Sequence, residues 1–424
     1  MSDTFETISV VGLGYIGLPT ATLFASRGKK VIGVDVSPRA VSTINQGRIH
    51  IVEPVLQDIV AKVVAEGNLR AVSKPEPANA FLIAVPTPFQ NDHEPDVSFV
   101  KAAAKSIASV LKRGDLVILE STSPVGTTEQ LVEWLAAERT DLKFPHSPND
   151  KPDVNVAYCP ERVLPGQIVK ELVENDRIIG GITAECSRRA MNLYRIFVEG
   201  ELSPTDARTA EMCKLTENSF RDVNIAFANE LSLICDKLGI NVWELIGLAN
   251  RHPRVKILQP GTGVGGHCIA VDPWFIVDKT PEQARIIRTA REINDGKPEW
   301  VRSKIDAAAK SIESGGRAGQ SVKVAILGLA YKPNVDDLRE SPALHIAESL
   351  HHSDEWDLML VEPNVSELPK SLGNRPLVDV NKALKDADVV AILVSHSDFK
   401  GLRPREGQIF VDAVGLTNSQ LTTP

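Results

Sequence analysis

An α/β fold, two doubly wound sheets joined by one long central helix, is what the sequence predicts. Three observations carry that expectation. Short aliphatic runs alternate with helical stretches at both ends of the chain, the pattern of parallel strands covered by helices. The first run leads into a Gly-x-Gly-x-x-Gly turn. Between the two alternating regions, residues 206–238 contain neither proline nor glycine and repeat their apolar positions at helical spacing.

Length and composition bound the rest. The chain has 424 residues, and at about 150 residues per domain that means two or three domains. We divide it into a dinucleotide-binding domain over 1–204, a central helical domain over 205–300 and a second α/β domain over 301–424. Apolar and charged fractions of 43% and 24% are those of an ordinary globular chain, not a disordered one. A net charge of −8 leaves no basic stripe for nucleic acid, so phosphate recognition has to be local. Aliphatic runs such as 389–394 fall far short of a membrane span. The acidic start, Met1-Ser2-Asp3-Thr4-Phe5-Glu6, runs directly into a strand and does not look like a secretion signal. Cysteines 159, 186, 213, 235 and 268 include no CxxC pair, so neither a disulfide framework nor a metal site is expected. These features fit a cytoplasmic, reducing compartment.

Residues 7–11 read as a strand, 18–27 as a helix and 31–35 as a second strand. Between the first two lies Gly12-Leu13-Gly14-Tyr15-Ile16-Gly17. In this context Gly12 makes the tight turn, Gly14 admits a pyrophosphate and Gly17 lets helix pack on strand. The helix N-terminus offers unpaired N–H groups to the phosphates. Asp35 ends the second strand, where a carboxylate accepts from both ribose hydroxyls and repels a 2′-phosphate. The first domain is therefore Rossmann-like, and its expected cofactor is NAD.

Further strands follow at 80–85, 116–120 and 154–158. Ligands bind beyond the carboxyl ends of such strands, which makes Thr87, Thr122 and Thr127 candidates in the two loops there. Ordinary turn chemistry favours the same residue types. After the last strand, Glu161 and Arg162 form either a base with an anion clamp or a solvated pair.

The central helix, over about 33 residues, would span about 50 Å. Thr205 and Asp206 mark its start and Gly239 its stop. Lys214, Asn218 and Arg221 share one face at i, i+4 and i+7. Lysine, amide and guanidinium suit an oxygen-rich substrate, although a salt-bridged surface face uses the same residues. Leu231, Leu233 and Ile234 make the helix broadly apolar, and a homodimer is expected to cover it.

A basic loop, Asn250-Arg251-His252-Pro253-Arg254-Val255-Lys256, precedes the stretch that carries the chemistry. That stretch is Gly261-Thr262-Gly263-Val264-Gly265-Gly266-His267-Cys268, with Asp272 and Pro273 just beyond. Four glycines in six positions bring backbone close to a ligand and leave the thiol uncrowded. A thiolate is a strong nucleophile wherever nearby cations lower its pKa. Most cysteines are instead small buried hydrophobes; the glycines, His267, Asp272 and the basic loop set Cys268 apart.

The last domain repeats the alternation, with strands at 322–327, 358–361, 389–394 and 409–411 and a helix including 381–385. Its turn, starting at Gly328, is an incomplete glycine loop, which suits a nucleotide other than NAD. Residues 311–320 read as an interdomain loop.

Taken together, these stretches resemble the UDP-glucose/GDP-mannose dehydrogenase family over nearly the whole chain. The motifs are the first glycine turn, Pro160-Glu161-Arg162, residues 211–218, Gly265-Gly266-His267-Cys268 with Asp272, and 328–339. Residues 250–254 and 263–274 are similar to the branch that acts on UDP-N-acetyl-D-mannosamine. UDP-N-acetylglucosamine and UDP-glucose are the alternatives, and the His252–Arg254 loop counts against UDP-glucose.

The resemblance implies a four-electron oxidation of a UDP-sugar C6 alcohol to a carboxylate, using two NAD and one water. It implies that Cys268 carries a hemithioacetal and then a thioester. Lys214 would move a proton or stabilise alkoxide, Asn218 would bond the same oxygens, Asp272 would activate water, and Thr122 and Glu161 would support proton traffic. For substrate it implies Arg162, Val163, Lys214, Asn218, Arg221, His252 and Gly265, with Tyr331 and Lys332 toward the nucleotide and Arg254 reaching in from a partner subunit. For NAD it adds Tyr15, Ile16, Arg39 and Arg339 to the glycines, Asp35, Thr87 and Thr127. Many relatives carry a second glutamate where this chain has Pro165, which moves general-base duty toward Glu161, Asp272 or Lys214. The uronic acid formed would be a building block of bacterial surface polysaccharide. A binding protein without turnover and a two-electron alcohol dehydrogenase are the competing classes.

Overall fold

In this computed structural model, which describes residues 4–51, 53, 55–90, 93–164, 166–266, 268–315 and 321–417, β1 (Thr7–Val11) lies inside an eight-stranded sheet. The chain divides into two compact units, Met1–Glu217 and Asn218–Pro424.

The first unit begins β1, α1 (Gly17–Ser26), β2 (Lys30–Val34), α2 (Pro38–Asn45), α3 (Leu56–Ala65), β3 (Leu69–Val72) and β4 (Ala80–Ile83). A short antiparallel pair of two-residue strands, β5 (Phe89–Gln90) with β6 (Glu94–Pro95), precedes α4 (Ser98–Ala108), β7 (Leu116–Leu119) and α5 (Thr127–Glu138). Then come β8 (Asn155–Tyr158), α6 (Ile168–Glu174), β9 (Arg177–Gly181), α7 (Ala184–Tyr194), β10 (Leu202–Asp206) and the start of α8 (Ala207–Leu238).

The sheet order is β10-β9-β8-β7-β4-β1-β2-β3. Helices cover both faces, so the central strands β4 and β7 are apolar at every position rather than at alternate ones. Along β7, Leu116 and Ile118 pack into the core on one face, and Val117 and Leu119 into the core on the other. One junction departs from the expected all-parallel sheet: β8 and β9 run antiparallel, with Ala157 opposite Gly181. β3, β9 and β10 were absent from the sequence reading.

α8 has 32 residues. Asp206 caps it, accepting from the Thr209 N–H at 2.9 Å and the Thr209 hydroxyl at 2.7 Å. Gly239, with φ at +68°, ends it.

The second unit holds the rest of α8, then α9 (Val242–Ala249), α10 (Asp272–Lys279), α11 (Arg285–Ser314) and β11 (Lys323–Leu327). α12 (Pro342–Ser353), β12 (Asp357–Val361), α13 (Val380–Asp386), β13 (Val389–Ile392) and β14 (Ile409–Asp412) complete it. Its four strands are all parallel, in the order β12-β11-β13-β14. α11 and α12 pack on one face and α13 on the other. The expected loop over 311–320 is corrected at its start. Ser311–Ser314 form the last turn of α11, because Ile312 packs against the core; residues 316–320 lie outside the described residues. Among the described residues, no helix is long and apolar enough to cross a membrane.

Candidate active site

The first glycine turn is built as its spacing predicts. Gly12 has φ at +90°, and a Cβ there would lie 2.5 Å from the Ala84 carbonyl oxygen. Its N–H donates to the Val34 carbonyl at 2.8 Å. Asp35 closes the turn, accepting from the Leu13 N–H at 2.9 Å and the Ser37 N–H at 2.8 Å. A Cβ on Gly14 would meet nothing within 4 Å, so this backbone has room beside it for a pyrophosphate. α1 begins at Gly17, just beyond Gly14, and the N-terminus of a helix is where such a phosphate is held. These residues fit NAD. Tyr15 and Arg39 are exposed and Ile16 is half-buried. The Thr87 hydroxyl donates to the Thr122 carbonyl, and buried Thr127 donates to the Pro124 carbonyl at 2.7 Å, so both hydroxyls also serve the loops they sit in.

Still in the first unit, Glu161 and Arg162 are not paired with each other. Each is paired with α8. Lys214 Nζ donates to the Glu161 carbonyl oxygen at 2.9 Å and to its carboxylate at 3.3 Å. These side chains are only 7% and 13% exposed, so the pair is shielded from screening by solvent. Arg162 grips Glu217 through two contacts, at 2.7 and 3.1 Å, and bonds the Asp176 carbonyl at 3.2 Å. The Val163 N–H donates to the Glu161 carboxylate at 2.9 Å, which fixes that carboxylate from its own loop. Pro165 lies outside the described residues.

Glu211, three residues before Lys214, heads the 211–218 motif, but the sequence assigned it no role. Fully buried, it accepts from the N–H groups of Gly126 and Thr128 at 2.6 and 2.8 Å and from the Thr128 hydroxyl at 2.6 Å. It ties the loop after β7 to α8. Burial pushes its carboxyl up to about 7, against the pull of those three donors. Glu120, at the end of β7, is pushed to a similar value by burial, with Arg177 and the Tyr194 hydroxyl opposing.

In the second unit, Cys268 is exposed and opens a turn whose carbonyl accepts from the N–H groups of Val271 and Asp272, at 3.1 and 2.8 Å. Asp272 is the first residue of α10 and is 3% exposed. Asn218 Nδ2 donates to its Oδ2 at 2.5 Å. The glycines before the cysteine lie against the segment after β11. A Cβ on Gly265 would sit 2.3 Å from the Glu340 carbonyl oxygen, and one on Gly266 would meet the Tyr331 ring. Tyr331 and Lys332 are half-buried there, with Lys332 Nζ 5.5 Å from the Tyr331 ring centre. Arg339 makes a two-pronged pair with Asp337, at 2.9 and 2.7 Å. Arg221, His252 and Arg254 are exposed, and the Arg254 N–H donates to His252 Nδ1 at 3.3 Å. His267 lies outside the described residues.

The turn after β11 repeats the first one. Gly328 also has φ at +90°, and its N–H donates to the Val361 carbonyl at 2.8 Å. Glu362 stands where Asp35 stands, accepting from the Leu329 N–H at 2.7 Å. Here the carboxylate is further engaged by buried His396, whose Nε2 is 3.0 Å away. Although burial opposes it, hydrogen bonds from His396, Leu329 and Asn364 hold Glu362 down to about 2. The second turn thus keeps the backbone form of a nucleotide loop but commits its acid internally.

Models of one family match three consecutive stretches. The NAD binding domain of the UDP-glucose/GDP-mannose dehydrogenase family matches residues 6–198, its central domain 208–296 and its UDP binding domain 325–418. The chain belongs to the UDP-glucose/GDP-mannose dehydrogenase family. As a member of this family it is an NAD-dependent oxidoreductase with a UDP-sugar substrate, as the sequence led us to expect. A UDP-N-acetyl-D-mannosamine dehydrogenase of Yersinia pestis is 63% identical over 417 residues, covering 97% of this chain and 99% of that protein. An NDP-N-acetyl-D-galactosaminuronic acid dehydrogenase of Ralstonia nicotianae is 58% identical, covering 98% and 97%. Among solved structures, the UDP-D-ManNAc dehydrogenase of Pyrococcus horikoshii superposes with a TM-score of 0.86 at 39% identity, covering 97% and 96%.

Proposed function

We propose that this family member oxidises UDP-N-acetyl-D-mannosamine at C6 to UDP-N-acetyl-D-mannosaminuronate. The 63% identity to a dehydrogenase of that name, over 97% of the chain, carries the reading. NAD, when bound, supplies the hydride acceptor for both oxidations, so that R–CH2OH, two NAD+ and one water give R–COO−, two NADH and three protons.

The chain's residues divide the work as follows. Lys214, an ammonium held by Glu161, stabilises the alkoxide that forms when C6 loses its hydroxyl proton. The Cys268 thiolate adds to the aldehyde carbon, forming a C–S bond while the carbonyl oxygen takes a proton. The hemithioacetal so formed is a competent hydride donor, as the bare aldehyde is not. Its oxidation leaves a thioester on Cys268. Asp272 then takes a proton from water, the water oxygen attacks the acyl carbon, and the C–S bond breaks to return the thiolate. Asn218 orients the Asp272 carboxylate for that step. With residue 165 a proline, Asp272 is the acid we assign to hydrolysis and Glu161 the acid that serves Lys214. Arg162, Val163, Arg221, His252, Arg254, Gly265, Tyr331 and Lys332 bind substrate, and Arg39, Thr87, Thr127 and Arg339 join the first glycine turn in binding NAD. We keep the division into domains at 1–204, 205–300 and 301–424.

The working form we propose is a homodimer in the cytoplasm. Phe220, Phe227, Ile234 and Leu238 leave an exposed apolar stripe on α8. Phe227 also lines a groove of about 730 Å³ with Val223, Ile286 and Ile293. A second copy of the chain would cover both, and a reducing compartment would protect the thiol.

Counting NADH per sugar at completion tests the reading, with UDP-N-acetyl-D-mannosamine, UDP-N-acetyl-D-galactosamine, UDP-N-acetylglucosamine and UDP-glucose in separate reactions. Two NADH from the mannosamine sugar and little from the others is expected. Activity confined to the galactosamine sugar would favour the second reading, which the 58% identity to the Ralstonia nicotianae protein supports. One NADH per sugar would remove Cys268 from its covalent role.

A further inference from the structure

A chain of buried polar groups in the second unit ends on the loop that carries Cys268. Asp222 and Asn229 on α8 are 0% exposed, and Arg291 and Asn294 on α11 are 1% exposed. Arg291 Nη1 donates to Asp222 Oδ1 at 2.6 Å. Asn294 Nδ2 donates to the same oxygen at 2.8 Å and to the Asp222 carbonyl at 3.1 Å. Asn229 Nδ2 donates to Asn294 Oδ1 at 2.8 Å. The Gly261 N–H donates to Asn229 Oδ1 at 2.9 Å.

The direction of these bonds is forced. A carboxylate and a carbonyl only accept, so Asn294 must turn its NH2 toward Asp222. That leaves its oxygen for Asn229, which must therefore present NH2 to Asn294 and oxygen to Gly261. Reversing either amide would set donor against donor in a buried place, where an unmade hydrogen bond is costly. Burial pushes the Asp222 carboxyl up, and Arg291 and Asn294 oppose it. A proton taken there would go to Oδ2, which neither Asn294 nor Arg291 touches, so the direction is unchanged.

α11 meets the loop a second time. Pro298 has no N–H to give the Asn294 carbonyl, its partner one turn back in the helix. That carbonyl oxygen lies 3.2 Å from where a Cβ on Gly263 would be.

We propose that Asp222, Asn294 and Asn229 are positioning residues that hand an acceptor to the Gly261 N–H and so set the cysteine loop for capture of the aldehyde. The proposal rests on the reading of Cys268 as the nucleophile. It separates the two halves of the reaction: the first oxidation needs no bond to Cys268, whereas the second does.

The test uses the full-length enzyme with Asn229→Ala, Asn294→Ala and Cys268→Ser, an aldehyde-trapping hydrazine, and iodoacetamide labelling of Cys268 followed by peptide mass. Asn229→Ala is expected to lower NADH per sugar from two toward one, with the missing sugar recovered as hydrazone. Its Cys268 labelling rate should change at least about tenfold, while KM for the UDP-sugar stays within about threefold. Asn294→Ala should move both readings the same way by less. Simple loss of folded enzyme would lower the rate and leave the stoichiometry at two. Two NADH per sugar with unchanged labelling in the folded variants would overturn the proposal. If Asn229→Ala does not fold, Asn294→Ala decides by the same two readings. A Cys268→Ser enzyme that still forms two NADH would overturn the covalent reading itself, and the labelling rates would still show whether the chain sets the loop.

Discussion

Asn218 and Asp272, 54 residues apart in sequence, are joined by a 2.5 Å hydrogen bond from amide to carboxylate. Asp272 also opens α10, and a helix N-terminus favours the ionised acid. Asp272→Asn is expected to stop the reaction at the thioester. A burst of about two NADH per site should be followed by turnover slowed about 10²–10⁴-fold. Intact mass should show the acyl group on Cys268. Turnover within about fivefold of the parent enzyme would take Asp272 out of hydrolysis.

Lys214 is held by Glu161 in two ways, and only one depends on the Glu161 side chain. Glu161→Gln keeps the 2.9 Å bond to the carbonyl oxygen and alters the 3.3 Å contact. We expect kcat to fall about tenfold there and about 10²–10⁴-fold in Lys214→Met. Equal losses would mean that the Glu161 carboxylate moves protons itself.

Lys297 gives a pH signature. Its Nζ donates to Ser232 Oγ at 2.5 Å and lies 3.7 Å from the Trp300 ring centre. Burial pulls its ammonium down from 10.5 to about 7, with Asp236 opposing. A base with a depressed folded pKa leaves the folded state with fewer protons than the unfolded state between those values. Its contribution to stability therefore rises with pH across that window and, as pH falls, is lost between about 10.5 and about 7. Urea unfolding at pH 7 and pH 9 should show about 2–3 kcal/mol of rise from this group. Lys297→Met should flatten the difference.

The α8 stripe is tested by Phe227→Asp. Placing a charge on an apolar interface should convert a sedimenting dimer to monomer. A monomeric parent protein would refute the dimer, and a dimer that survives both Phe227→Asp and Phe220→Asp would move the interface elsewhere.

How much was legible in the sequence depended on how local each signal is. The first glycine turn, its two strands and Asp35 lie within 30 residues, and the pattern placed them to within a residue or so. α8 was placed to within one residue because it holds no breaker. β10 was invisible because Leu202-Ser203-Pro204-Thr205-Asp206 is a mostly exposed edge strand with no apolar alternation. The roles of Glu211 and Arg291 were invisible for a different reason. A buried polar residue on an amphipathic helix reads like one on its wet face, and only the partner tells them apart. Glu211 finds Thr128 83 residues away, and Arg291 finds Asp222 at a separation of 69. The meeting of Asn218 with Asp272 was likewise beyond any spacing rule, although both residues had been singled out.

The exposure of Cys268 has a practical side. A thiol open to an aldehyde is open to peroxide as well, and oxidation starts with a reversible sulfenic acid and ends in irreversible acids. Cys159, Cys186 and Cys235 are buried and stand outside that traffic. Enzyme stored without reductant should thus lose turnover while keeping its fold and its affinity for NAD. Early losses should return with dithiothreitol, and late ones should not.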